Sequence, residues 1–74
     1  MNAKSDSNVA DEVLIQDCDR KKNGANVHFV NSTIGRYRYA FVRKDLAHAR
    51  KCELSLRRFL STGRCLHPEY IKED

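Results

Sequence analysis

Apolar and polar positions along this chain follow two different periods, and the change falls near residue 44. From Arg36 to Arg43 the order Arg-Tyr-Arg-Tyr-Ala-Phe-Val-Arg alternates. Tyr37, Tyr39 and Phe41 thus share one face, and Arg36, Arg38, Ala40 and Val42 the other, the period-two signature of a half-buried strand. Beyond Lys44 the period lengthens. At about 100° per residue, Leu46, Ala49, Cys52, Leu56, Phe59 and Leu60 fall in one apolar sector, which predicts an amphipathic helix from Asp45 to Thr62. Its ends carry matching signals: Asp45 can accept the free amides of the first turn, and Gly63 tolerates the left-handed conformation that closes a helix. Arg57 and Arg58 lie in the last turns, where cations complement the helix dipole.

Upstream, the apolar run Glu12–Asp17 reads as a short strand, Asp19–Gly24 as a turn built on Asn23-Gly24, and Ala25–Asn31 as a second strand. Val27 and Phe29 would face one side of that strand, His28 and Val30 the other. Ser32–Gly35 leads into the third strand. The expected fold is α+β: a three-stranded antiparallel meander followed by one long amphipathic helix packed on one face. Leu56, Phe59 and Leu60 should then meet Ile15, Phe29, Tyr39 and Phe41. Residues 1–8 are polar and expected to form a disordered tail, residues 9–71 a single domain, and residues 72–74 a frayed end. Pro68 can open one helical turn that lays Leu66, Tyr70 and Ile71 on the core.

Charge sharpens this outline. The net charge of +4 conceals three zones: in residues 1–19 five acids face one base (−4), in residues 20–64 twelve bases face Asp45 and Glu53 (+10), and in residues 65–74 three acids face Lys72 (−2). A cationic middle with acidic ends suits an anionic surface while discouraging unselective adhesion. On the predicted helix the side opposite the core carries Arg50, Lys51, Arg57 and Arg58, with Leu54 at their centre and no acid among them. Arg36, Arg38 and Arg43 extend the cationic surface from the strand. These eight residues are the candidate partner-binding set. The same pattern also describes an ordinary solvated face with one stray leucine, and both readings stand at this point.

Catalytic chemistry finds little purchase. There is no Gly-x-Ser-x-Gly, His-Glu-x-x-His or phosphate-binding glycine loop, and 74 residues leave little room for a deep pocket. Cys18, Cys52 and Cys65 with His28, His48 and His67 offer metal-ligand chemistry, but only Cys65-x-His67 is closely spaced, so neither a metal nor another cofactor is expected. Free thiols are expected, in a cytoplasmic protein with no apolar run long enough to span a membrane and no signal-peptide core. The chain is expected to be a monomer that binds rather than catalyses.

Two resemblances bear on the partner. Tyr39-Ala40-Phe41-Val42 resembles the centre of the RNP1 motif of RNA-recognition motifs, whose strand aromatics stack on bases. Arg38, however, stands where that motif has glycine, and Lys44 where it has an aromatic residue. In size, charge layout and the stretch from Gly35 to Gly63 as a whole, the chain resembles the small RNA polymerase-binding transcription regulators of Xanthomonas phages. That resemblance implies a non-enzymatic protein of the host cytoplasm that engages the β′ and β subunits of bacterial RNA polymerase. It further implies interference with σ-dependent initiation and read-through of terminators, and it transfers no individual residue. The alternatives are a small basic DNA- or RNA-binding regulator and an inhibitor of another host enzyme.

Overall fold

The computed structural model describes residues 10–72, and the expected tail over residues 1–8 lies outside them, as do residues 73–74. The fold is helical, and the expected sheet is absent: the described residues contain no strand. Helix α1 spans Glu12–Lys21, α2 Val27–Val42 and α3 Leu46–Thr62, with one-turn 3-10 segments at Gly24–Asn26 and Pro68–Tyr70.

The first expected strand is α1. Asp11 caps it, its carboxylate accepting from the backbone amides of Val13 and Leu14, and Leu14, Ile15 and Cys18 bury one stripe at helical spacing. Within Glu12–Asp17 the run Val13-Leu14-Ile15 fits either period. Only Cys18, one turn beyond Leu14, decides it.

Apart from Ala25 and Asn26, which belong to the 3-10 segment, and Arg43, which is the C-cap, the second and third expected strands and the loop between them form the single helix α2. Its buried positions are Phe29, Val30, Thr33, Ile34, Tyr37 and Ala40, recurring every three to four residues through Ser32-Thr33-Ile34-Gly35. A polar threonine in the core stripe and an exposed glycine mid-helix disguised that continuity. Alternation over Arg36–Arg43 is a local coincidence. Tyr37 is buried and Phe41 partly so, but Tyr39, which a sheet would bury with them, is 57% exposed. The β-branched and aromatic residues of this stretch favour strands only weakly, and packing of one long apolar stripe overrides that preference. Of the expected Asp19–Gly24 turn, Asp19–Lys21 instead continue α1, and the chain reverses only at Lys22–Asn23 and the 3-10 segment that Gly24 opens at φ 56°, joining two helices rather than two strands.

Helix α3 has the boundaries that its pattern predicts. The Asp45 carboxylate accepts from His48 N–H, and Gly63 at φ 78° donates its N–H to Phe59 O. Ala49, Cys52, Ser55, Leu56 and Phe59 are buried, whereas Leu46 at the helix start is 49% exposed. Helices α2 and α3 form an antiparallel hairpin. At one end Phe29 meets Phe59 with ring centroids 6.3 Å apart, and at the other the Asp45 N–H reaches Ala40 O at 2.8 Å.

Helix α1 lies across this hairpin. The Cys18 thiol donates to Leu56 O at 3.6 Å, Lys21 Nζ to Leu60 O at 3.2 Å, and the Asp11 amide to the hydroxyl of buried Tyr37 at 3.0 Å. The acidic N-terminal zone thereby lands on the basic middle: Glu12 pairs with Arg38 at 2.8 Å and Asp11 with Arg57 at 3.5 Å. After Gly63 the chain returns as a strap. The Ser55 hydroxyl donates to Leu66 O, Glu69 pairs with Arg36 at 3.1 Å, His67 sets its ring edge-on to Phe29, and Pro68 and Ile71 are buried.

Candidate functional site: a basic groove on the third helix

Burying one side of α3 against α1 and α2 leaves its outer side, Leu54, Arg57, Arg58, Ser61 and Thr62, facing outward. The strap runs alongside. Between them lies an open groove of about 730 Å³, walled on the strap side by Leu66, Tyr70, Ile71 and Lys72. Its apolar lining comes from half-buried Leu54 and Leu66, with the ring of Tyr70, itself 66% exposed, at the edge. Arg57, Arg58 and Lys72 supply cations. Leu54 is therefore part of a concave wall rather than a solitary exposed side chain.

The cations of the candidate set differ in what they already touch. Arg57 is held between Glu53, at 2.9 Å, and Asp11, and its hydrogen bond to Glu53 is the main cause that raises its pKa further. The absence of acids on this face, expected from the sequence, is corrected by Glu53 one turn back and by Asp11 arriving from α1. Arg36 is paired with Glu69 and Arg38 with Glu12, so these two tie the strap and α1 to the hairpin. Exposed pairs of this kind are screened by water and salt and add little to stability. Arg58 makes no ion pair with another described residue, and it points into the groove with Lys72. Arg50 is exposed on α3 and Lys51 half-buried, while Arg43 caps α2 with its guanidinium 5.7 Å from the centre of the Tyr39 ring. The structure thus gathers Leu54, Arg57 and Arg58 into one site and places Arg36, Arg38 and Arg43 elsewhere.

The strap's contribution, Leu66, Tyr70, Ile71 and Lys72, was only half visible. The apolar spacing after Pro68 announces a segment folding back, but nothing in it says against which side of α3.

Reactive chemistry is disfavoured at the one Cys–His contact. Cys52 Sγ lies 3.7 Å from His48 Nε2, yet Cys52 is fully buried and burial pushes its thiol up to about 11 from an ordinary 9.0. Cys18 is raised to about 11 for the same reason. Both stay protonated near neutrality and out of reach of a substrate. Cys65 is exposed. No group of three or more metal-ligating side chains occurs among the described residues.

The hairpin also bears on nucleic acid. A base-stacking sheet of the RNP1 type has no counterpart, since Tyr39-Ala40-Phe41-Val42 is helical. No helix of the described residues is long and apolar enough to cross a membrane. Compared with known proteins, the chain matches no family model, no curated protein and no solved structure.

Proposed function

We propose that this protein is a non-enzymatic binding module that docks an acidic protein surface into the groove between α3 and the strap. The bacterial RNA polymerase of a phage-infected host is the partner we assign to it. One observation carries the reading: the groove joins half-buried Leu54 and Leu66 to the cations Arg58 and Lys72 in one concavity. Such a site takes an apolar side chain flanked by carboxylates, with apolar contact at its centre and charge at its rim. The resemblance in size and charge layout to phage transcription regulators supplies the identity of the partner and the outcome, inhibition of σ-dependent initiation with read-through of terminators. Apolar lining beside the cations favours a protein partner over bare phosphate gripping, which needs charge alone.

The test is binding of purified bacterial RNA polymerase, and of random DNA and RNA, across a salt series. Wild type should bind polymerase at moderate salt. Leu54→Ala and Arg58→Glu should each weaken that binding about tenfold, the loss expected when a central contact worth over 1 kcal/mol is removed. Arg58 is a cleaner target than Arg57, whose reversal would also disturb Glu53 and Asp11. Tight, steeply salt-dependent binding to nucleic acid, without affinity for polymerase, would replace this reading with the nucleic-acid one.

A further inference from the structure

At the far end of the hairpin from the Phe29–Phe59 contact, the last turn of α2 and the first turn of α3 carry apolar side chains that the fold leaves in solvent. Val42 is 74% exposed, Tyr39 57% and Leu46 49%. They are three of the five large exposed hydrophobic residues among those described, and they fall within eight positions. Tyr39 and Val42, three apart on α2, share a face. Scattered apolar residues on a surface require no account, but a cluster at one tip does.

The turn between them is itself unusual. The Asp45 N–H bonds Ala40 O at 2.8 Å and the Lys44 N–H bonds Phe41 O at 3.1 Å, the paired closure that normally places glycine at the left-handed position. Here that position is Lys44, at φ 61°, the one non-glycine residue with positive φ among those described. Glycine would serve the turn at lower cost, so folding alone does not account for this side chain. Beside it Arg43 lies over the Tyr39 ring. At the turn itself Arg43 and Lys44 stand against one acid, Asp45, whose carboxylate already accepts from His48 N–H.

We propose that this tip, Tyr39, Val42, Lys44 and Leu46 with Arg43, is a second docking surface, fitted to an apolar hollow rimmed by carboxylates on a protein partner. The proposal rests on the reading of the protein as a binding module but uses none of the groove's residues. Along α3, Leu46 and Arg58 are separated by about 18 Å at 1.5 Å per residue, so one partner side chain cannot fill both. A second copy of this chain is a poor occupant, because two such tips would bring Arg43 and Lys44 against their own counterparts.

Two substitutions probe the tip without touching the core. Val42→Ser alters a side chain that is mostly in solvent, and Lys44→Gly relieves the left-handed residue. Binding of purified bacterial RNA polymerase by wild type, both tip variants and Leu54→Ala is measured at moderate salt, alongside phosphatidylglycerol vesicles and a single-stranded oligonucleotide. Both tip variants should bind polymerase about tenfold more weakly, with unfolding midpoints equal to or above wild type. Tip variants that bind as wild type while Leu54→Ala is impaired would overturn this proposal and leave the groove intact. Wild type with no affinity for polymerase overturns the functional reading and this proposal with it. Vesicle or oligonucleotide binding by wild type that the tip variants lose, with polymerase binding retained, reassigns the tip to lipid or nucleic acid and overturns it as well.

Discussion

Gly35 discriminates between the helical and the sheet architecture with a single methyl group. In the sheet architecture it ends a connection between two strands, where backbone freedom is the reason for glycine. In the helical one it sits in the ninth position of the sixteen-residue helix α2, exposed, and a Cβ added there meets nothing within 4 Å. Gly35→Ala should therefore cost no contact and no strain. It removes the backbone freedom that an unfolded glycine enjoys and that the helix must suppress, a gain of about 0.8–1.0 kcal/mol in a helix interior. For a domain of this size that corresponds to a rise in Tm of about 4–8 °C. Urea unfolding followed by far-ultraviolet circular dichroism reads it directly, as a higher midpoint at unchanged slope. A midpoint equal to or below that of wild type would show that residue 35 is not mid-helix. Gly63→Ala is the internal contrast, since at φ 78° the same methyl is strained and the midpoint should fall.

Lys44→Gly should raise stability by about 1 kcal/mol, from relief of a left-handed residue at the α2–α3 turn, seen as a higher urea midpoint. The buried thiols predict alkaline sensitivity: Cys18 and Cys52, at about 11 when folded and 9.0 ordinarily, keep their protons in the fold where the unfolded chain loses them. Their contribution is intact below pH 9 and is lost as pH rises toward 11, by at most about 1.4 kcal/mol per pH unit for each thiol. Urea midpoints at pH 8 and 10 should show the fall, and the Cys18→Ala, Cys52→Ala double variant should show a smaller one. An equal fall in both proteins would remove the thiols from the account.

What the sequence disclosed, and what it hid, follow from the range of the signals. Helix α3 was legible because cap, stripe and stop are all local: Asp45, the Ala49–Cys52–Leu56–Phe59 series and Gly63 lie within one continuous pattern. Helix α2 was hidden because its evidence is distributed. Its two halves each alternate over a few residues, and only the full series from Phe29 to Ala40 exposes the longer period, across a threonine and a glycine that look like a loop. The charge zones were visible as numbers but not as contacts. That Asp11 and Glu12 would return to Arg57 and Arg38 depends on the placement of α1, which no local pattern encodes. Cys18 illustrates the consequence. Read in isolation it is a spare thiol, yet it is fully buried and bonded to the Leu56 carbonyl, so serine there would place a hydroxyl in an apolar setting.

The strap makes one side of the groove separable from the fold. Leu14, Phe29, Tyr37, Leu56 and Phe59 close the core among the three helices, while Leu66, Tyr70 and Lys72 contribute to the groove from outside them. Substitutions at Leu66, Tyr70 and Lys72 can therefore remodel one wall while the helical frame keeps its packing, because the strap is anchored elsewhere, by buried Pro68 and Ile71, by His67 against Phe29 and by Glu69 on Arg36. As the docking surface proposed above, such a groove would change its preference in small steps, each tolerable to a domain of modest stability. Retargeting in such a molecule would proceed by exchange of a few residues after Gly63, with α3 serving as the constant half of a variable site.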